Sequence, residues 1–272
     1  MLKKLFIYEW KDSWKLMTLL NVLVFVMTII GTIIFANDIW AAADDSLLYQ
    51  ASLMSYMIFY IFSIAALSMI PSLYFWMRFY RNLYTDQGYL MHTLPVTPAQ
   101  LIWSKAFVAA IWSLICNVVS FFSIVTLVVG GTSQTSIFAL IDEMDIRHAI
   151  NVITEEIGGV FYAYVFVVIV LVFVSVFTSI FMGYAAVSLG QLFKKHRVGA
   201  AIGMYVLLYV VLQTVSSYAG IPLTSLMNYA NDNSAPWMAF AFLLCVTLIS
   251  AAMGAAFFFL TKYIMGNKLN LE

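Results

Sequence analysis

Charged residues are scarce in this sequence. Only 10% of its 272 residues are Asp, Glu, Lys or Arg, whereas 64% are hydrophobic. Water-soluble domains carry about a quarter charged residues. A soluble fold has no core large enough to bury so much apolar surface, so the composition excludes an ordinary globular protein.

The groups that catalysis and metal binding need are also scarce. The two cysteines, Cys116 and Cys245, lie inside long apolar runs, which excludes a disulfide framework. No HExxH or GxxxxGK[ST] motif occurs, so neither a zinc protease nor a nucleotide-binding phosphate loop is predicted. The three histidines lack partners at metal-ligand spacing; they are His92, His148 and His196. The sequence predicts no enzyme, no metal site and no cofactor of its own.

Long uncharged runs dominate what is present. Splitting the chain at its charges leaves six of them, each at least as long as the ~20 residues that cross a bilayer. Their residues are apolar on all faces, which favours helices over a transmembrane barrel. The predicted fold is an all-α polytopic integral membrane protein, a single domain over 1–272 with six transmembrane helices. The predicted spans are about 16–37, 47–77, 104–129, 160–190, 198–219 and 237–261.

The basic residues are sorted by side. When successive connections are assigned to opposite sides of the membrane, twelve of the 13 Lys and Arg residues fall on the side of the termini, and only Arg147 falls on the other. This is the positive-inside pattern. It predicts a multi-pass protein of the plasma membrane with both termini in the cytoplasm.

The first fifteen residues have an amphipathic pattern. Leu5, Phe6, Trp10 and Trp14 recur at helical spacing, with lysines mostly opposite. Such a helix is expected to lie in the headgroup layer of the lipid bilayer. The pattern itself suggests a topology anchor.

Residues 78–105 form a connection between the second and third spans that carries strong turn signals. Asp86-Gln87-Gly88 predicts that the helix leaving the second span stops near Thr85. Leu94-Pro95 then enforces an extended step. The residues between these signals are a short amphipathic piece, suited to docking in the cytoplasm or, alternatively, to an interfacial loop.

The next helix has a clear start signal. Thr97 is an N-cap residue, Pro98 suits the first helical position, and Gln100 suits the third. The sequence therefore predicts that a new helix begins at Pro98.

The same segment resembles a known family. An aromatic residue, Asp, Gly-Tyr-Leu, Thr-Leu-Pro-Val and a Lys at the foot of the next span occur in the order found in permease subunits of bacterial type-2 ABC transporters. Here these are Tyr84, Asp86, Gly88 to Leu90, Thr93 to Val96 and Lys105.

The resemblance implies a coupling helix between spans two and three that contacts a separate ATPase. It alone also implies a second interpretation of residues 1–15, as an interface helix that touches this ATPase, and that interpretation stays open beside the topology anchor. The coupling residues would be Asp86, Gly88, Tyr89, Leu90, Leu94 and Pro95. ATP and magnesium would bind to that partner ABC ATP-binding subunit. A second permease copy or paralogue is a further expected partner, and no nucleic acid is expected.

The polar residues inside the six long runs are uncharged. Asn21, Asn117 and Gln213 are candidates for a translocation path, although each equally suits an interhelical hydrogen bond. A path of this kind fits an amphipathic, lipid-like or peptide cargo moved by alternating access. The alternatives are a non-transporting six-span assembly or immunity protein and, third, a secondary transporter, because the uncharged runs lack coupling charges.

Two smaller predictions concern the fifth span. Gly199 and Gly203 form a GxxxG pair that suggests close helix packing. The segments Ala219–Pro222 and Asn231–Pro236 bracket an apolar piece that suggests a broken hairpin before the sixth span.

Overall fold

A computed structural model describes residues 2–36, 47–85, 96–132, 161–193, 195–232 and 236–267. Within these ranges the chain forms six helices and no strand. They are α1 (Leu2–Ala36), α2 (Leu47–Tyr84), α3 (Pro98–Thr132), α4 (Phe161–Gly190), α5 (Arg197–Asp232) and α6 (Pro236–Asn267).

Each of the six helices is long and apolar enough to cross a membrane. The qualifying parts are Lys3–Ile34, Ala51–Tyr84, Pro98–Leu127, Phe161–Gly190, Arg197–Gly220 and Phe240–Asn267. The prediction of an all-α membrane protein with six transmembrane helices is therefore confirmed. The helices extend past several predicted spans, because charged residues near the ends do not stop a helix.

The first helix differs from its prediction. We expected a separate interfacial helix over residues 1–15, but α1 is continuous from Leu2 to Ala36. Residues 2–30 contain neither Gly nor Pro, so nothing breaks the helix near residue 15. Its inner face is also more polar than expected, since Glu9 and Ser13 are buried together with Met17.

The helices divide into two compact units. Unit 1 contains Met1–Phe6, Tyr74–Ala110 and Asn151–Glu272, and unit 2 contains Ile7–Leu73 and Ile111–Ile150. In unit 1, α4 packs against both α5 and α6. Trp103 of α3 lies edge-on to Phe181 of α4, with ring centroids 5.3 Å apart. Aromatic rings therefore take part in the packing of unit 1, beside a larger number of buried aliphatic side chains.

At some glycines of unit 1, a neighbouring side chain or helix lies directly against the helix backbone. At Gly183 of α4, the indole of Trp76 occupies the space that a β-carbon would need. At Gly190, the backbone of Ala201 in α5 does the same. By contrast, apart from the adjacent residues and backbone of its own helix, no described atom lies within 4 Å of a β-carbon placed at Gly203. The packing role that the GxxxG pattern suggested is thus not observed at Gly203 within the described part of this chain.

The fifth helix is unbroken. Contrary to the predicted broken hairpin, α5 continues through Ala219–Pro222 to Asp232. Proline removes one backbone donor, and membrane helices tolerate this when the freed carbonyl is satisfied elsewhere. The turn before α5 contains His196, which has a positive φ of 56°. Asn and His occupy this left-handed region more readily than most residues.

Unit 2 contains a chain of buried hydroxyl groups. The Thr28 hydroxyl donates to the carbonyl of Val24 at 2.8 Å and lies 2.5 Å from the hydroxyl of Ser123. The Tyr60 hydroxyl lies 2.7 Å from the same Ser123 oxygen. When Thr28 donates its single proton to the Val24 carbonyl, Ser123 donates to Thr28 and Tyr60 donates to Ser123. The chain of hydroxyl groups joins α1, α2 and α3.

Candidate functional site: the helix ends around residues 85–97

The connection between α2 and α3 is shorter than the predicted loop. α2 continues to Tyr84 and α3 begins at Pro98, so the predicted helix end near Thr85 and the predicted helix start at Pro98 are both confirmed. Residues 86–95 lie outside the described residues. They include all six predicted coupling residues, namely Asp86, Gly88, Tyr89, Leu90, Leu94 and Pro95.

A reciprocal pair of hydrogen bonds starts α3. The backbone N–H of Gln100 donates to the side-chain hydroxyl of Thr97 at 3.4 Å. The backbone N–H of Thr97 donates to Oε1 of Gln100 at 3.1 Å. Together with Pro98 at the first helical position, this is the capping box that the sequence predicted. Two donors that a helix start leaves unsatisfied are thereby bonded.

The end of α2 is held against α4. Tyr84, the last helical residue, is buried, and its hydroxyl shares a 2.6 Å hydrogen bond with the hydroxyl of fully buried Ser188. One turn earlier, the ring of Phe79 stacks on Tyr184, with centroids 3.9 Å apart and planes 9° apart. These contacts join α2 to α4 at two levels. The chain therefore enters residues 86–95 from a fixed position.

Two cations lie inside the same unit. Arg78 of α2 is 8% exposed and Lys105 of α3 is 4% exposed. Nη1 of Arg78 donates to the Tyr74 hydroxyl at 3.0 Å, and both cationic side chains have further interactions. Burying a charged side chain costs free energy unless hydrogen bonds or other charges compensate for the lost water. The burial of Arg78 and Lys105 is therefore a specific feature of how this unit packs.

Sequence reasoning missed this burial. A division of the sequence at its charges places every charged residue outside a span, and it therefore predicts that Arg78 and Lys105 lie in a connecting loop. The periodicity offered a signal: Phe75, Phe79 and Leu83 are all buried at intervals of four, which places Arg78 next to the inner face of a continuing helix.

The predicted translocation residues fall in both units. In unit 2, Asn21 is half-buried, and its Nδ2 donates to the carbonyl of Met17 at 2.8 Å and lies 3.5 Å from the sulfur of Cys116. Asn117 is exposed on α3. In unit 1, Gln213 is exposed on α5 and lines an open groove of about 410 Å³ with Thr214, Ser217 and Tyr218. Asn21 thus makes the helix-bridging contact foreseen as its alternative role.

No metal centre is present in the part of the chain that the structure describes. No cluster of three or more His, Cys, Asp or Glu side chains forms there. Cys116 is a buried free thiol and Cys245 an exposed one.

Comparisons with known proteins identify no relative. No protein-family model matches the chain, and neither a curated protein nor a solved structure does. The similarity of residues 84–105 to type-2 permeases is therefore a resemblance of sequence pattern.

Proposed function

We propose that this chain is the membrane permease subunit of an ATP-driven ABC exporter. A separate ABC ATP-binding subunit would bind ATP and magnesium, and a second permease copy or paralogue would complete the assembly. The cargo would be amphipathic, lipid-like or peptide, moved by alternating access. The assembly would lie in a bacterial plasma membrane, with both termini in the cytoplasm.

One observation carries most of this proposal: residues 86–95 are bracketed by two well-defined helix ends. Tyr84 bonds α2 to α4 through Ser188, and the capping box fixes the first turn of α3. A segment that transmits force from an ATPase must move the helices on either side of it. The two helix ends that flank residues 86–95 are held by these hydrogen bonds, so a force applied to the segment would act on α2 and α3.

The buried cations give a second candidate some support. Ion-coupled transporters need ionisable groups within their spans. Arg78 and Lys105 are buried within candidate spans, so the reason for ranking a secondary transporter third is weaker than the sequence suggested. The non-transporting alternative gains no comparable observation.

Copurification distinguishes these functions. The tagged chain is expressed with an untagged candidate ABC ATPase, and the retained ATPase is quantified. Tyr89→Ala combined with Leu90→Ala should weaken retention, since truncating a buried interface anchor costs about 2 kcal/mol or more, roughly thirtyfold in affinity. Gly88→Val should act similarly if the turn requires a positive φ there.

A matched control removes the same side-chain types from an exposed helix face. Tyr162→Ala combined with Ile169→Ala deletes one tyrosine and one aliphatic side chain of α4, exposed by 72% and 50%. This variant should retain the ATPase. The purified chain alone should hydrolyse no ATP. Normal ATPase retention and transport by the Tyr89/Leu90 variant would instead return the segment to an interfacial loop, and ATPase-independent uptake driven by an ion gradient would favour the secondary transporter.

A further inference from the structure

The outer face of α1 carries one continuous stripe of exposed side chains. At about 100° per residue, its members fall within an arc of about 80°, opposite the buried face that contains Ser13 and Met17. The stripe consists of Lys4, Tyr8, Lys11, Lys15, Leu19, Val22, Val26, Ile29 and Ile33.

The chemistry of this stripe changes once. It is cationic and aromatic up to Lys15, and every exposed member from Leu19 onward is aliphatic. Aliphatic side chains face hydrocarbon, so the hydrocarbon boundary lies just after Lys15. The remainder of the helix, Leu16 to Ala36, is 21 residues (36 − 15). At about 1.5 Å per residue it spans about 31 Å, which matches the ~30 Å hydrocarbon core of a bilayer.

This boundary places two lysines at the level of the lipid headgroups. The headgroup layer is roughly 5–7.5 Å deep on each side of the bilayer. Along the helix axis, Lys15 lies about 1.5 Å and Lys11 about 7.5 Å beyond Leu16, whereas Lys4 lies about 18 Å beyond it. Trp14 is 47% exposed at the same level, as expected of an interfacial aromatic residue.

We propose that Lys11 and Lys15 form a binding site for the phosphate group of an anionic phospholipid. The two side chains are one helical turn apart on the same face, and flexible lysine stems extend toward headgroups. Asp12, which is exposed beside Lys11, supplies one negative charge against their two positive charges. Glu9, the other acidic residue of these turns, is buried on the opposite side of the helix, so the exposed side chains carry a positive excess. This excess favours lipids with net negative charge over zwitterionic ones. This site is independent of the proposed transport function.

Lipid selectivity tests the site directly. The full-length protein is reconstituted in phosphatidylcholine bilayers, and the association of spin-labelled phosphatidylglycerol is measured relative to spin-labelled phosphatidylcholine. Electron paramagnetic resonance resolves the fraction of label held at the protein surface. Lys11→Gln and Lys15→Gln should each lower the preference for phosphatidylglycerol by up to about fivefold, and the double variant should lower it further.

The controls separate a site from general surface charge. Lys4→Gln makes the same charge change on the same stripe but beyond the headgroups, so it should leave the preference unchanged. Lys11→Arg combined with Lys15→Arg should keep it, since arginine also binds phosphate. An unaltered preference in the Lys11/Lys15 double glutamine variant would overturn the proposal. An equal loss in Lys4→Gln would overturn it as well, because binding would then follow total charge.

Discussion

Gly183 offers a sharp test of the packing in unit 1. A β-carbon placed there would lie 2.5 Å from Cδ1 of Trp76 and closer still to its Nε1 and Cε2. Relief of this overlap requires the indole to move by more than about 1 Å. The indole is not free to do so without cost, because it packs against Tyr205 with ring centroids 4.6 Å apart. Gly183→Ala should therefore overpack this contact.

The expected magnitude follows from two opposing effects. Overpacking costs about 1–3 kcal/mol, while replacing Gly by Ala in a helix gains up to about 1 kcal/mol. Gly203→Ala is the matched control, since no described atom beyond the adjacent residues and backbone of its own helix lies within 4 Å of the added methyl group. The helix-forming gain is common to both variants. Their difference in free energy of unfolding should thus be about 1–3 kcal/mol, or about 5-fold to 140-fold in the folding equilibrium.

Reversible unfolding in mixed detergent micelles, followed by circular dichroism during titration with sodium dodecyl sulfate, measures this difference. Trp76→Ala removes the obstacle, so adding Gly183→Ala in that background should cost nothing. The reasoning is refuted if Gly183→Ala is as stable as Gly203→Ala, or if its cost persists after Trp76 has been removed.

Three further predictions address the helix ends and the topology. Tyr84→Phe and Ser188→Ala should each destabilise the protein, and a double-mutant cycle in the same unfolding assay should give a coupling of about 0.6–1.7 kcal/mol; additive effects would mean that the hydrogen bond is not formed. Thr97→Ala should cost about 0.5–2 kcal/mol and speed amide exchange in the first turn of α3, whereas Thr97→Ser should retain most of the protection; equal exchange in all three proteins would contradict the capping role. Single cysteines in a cysteine-free background should react with an impermeant thiol reagent on intact cells when they replace Asp44, Glu143 or Asp232, which are predicted to be external. Cysteines that replace Gly88 or His196, which are predicted to be cytoplasmic, should not react. Labelling at a cytoplasmic position would reverse the predicted orientation.

The parts of the fold that the sequence predicts are those encoded by neighbouring residues. Six uncharged runs each exceed the length of a span, so the number and type of elements follow from composition alone. The start of α3 was predicted to the residue, because Thr97, Pro98 and Gln100 act within one turn.

What the sequence could not supply depends on residues far apart in the chain. Tyr84 and Ser188 are 104 positions apart, and no local pattern pairs them. Likewise, the GxxxG spacing predicted close packing at Gly203, whereas the close contact occurs between Gly183 and the indole of Trp76. The burial of Arg78 and Lys105 is a property of the packed helices, and dividing the chain at its charges conceals it.

The direction of the hydroxyl chain in unit 2 limits what it can conduct. In the arrangement in which Thr28 donates to the Val24 carbonyl, Tyr60 donates to Ser123 and Ser123 donates to Thr28. A proton relay needs a basic group at its far end, and a backbone carbonyl is too weak a base to take up the proton. In this arrangement the three linked hydroxyl groups end at a carbonyl that cannot take up a proton, so they do not form a proton relay. A proton-coupled mechanism would have to use other groups, and substituting Phe at Tyr60 should alter helix packing without altering any proton flux.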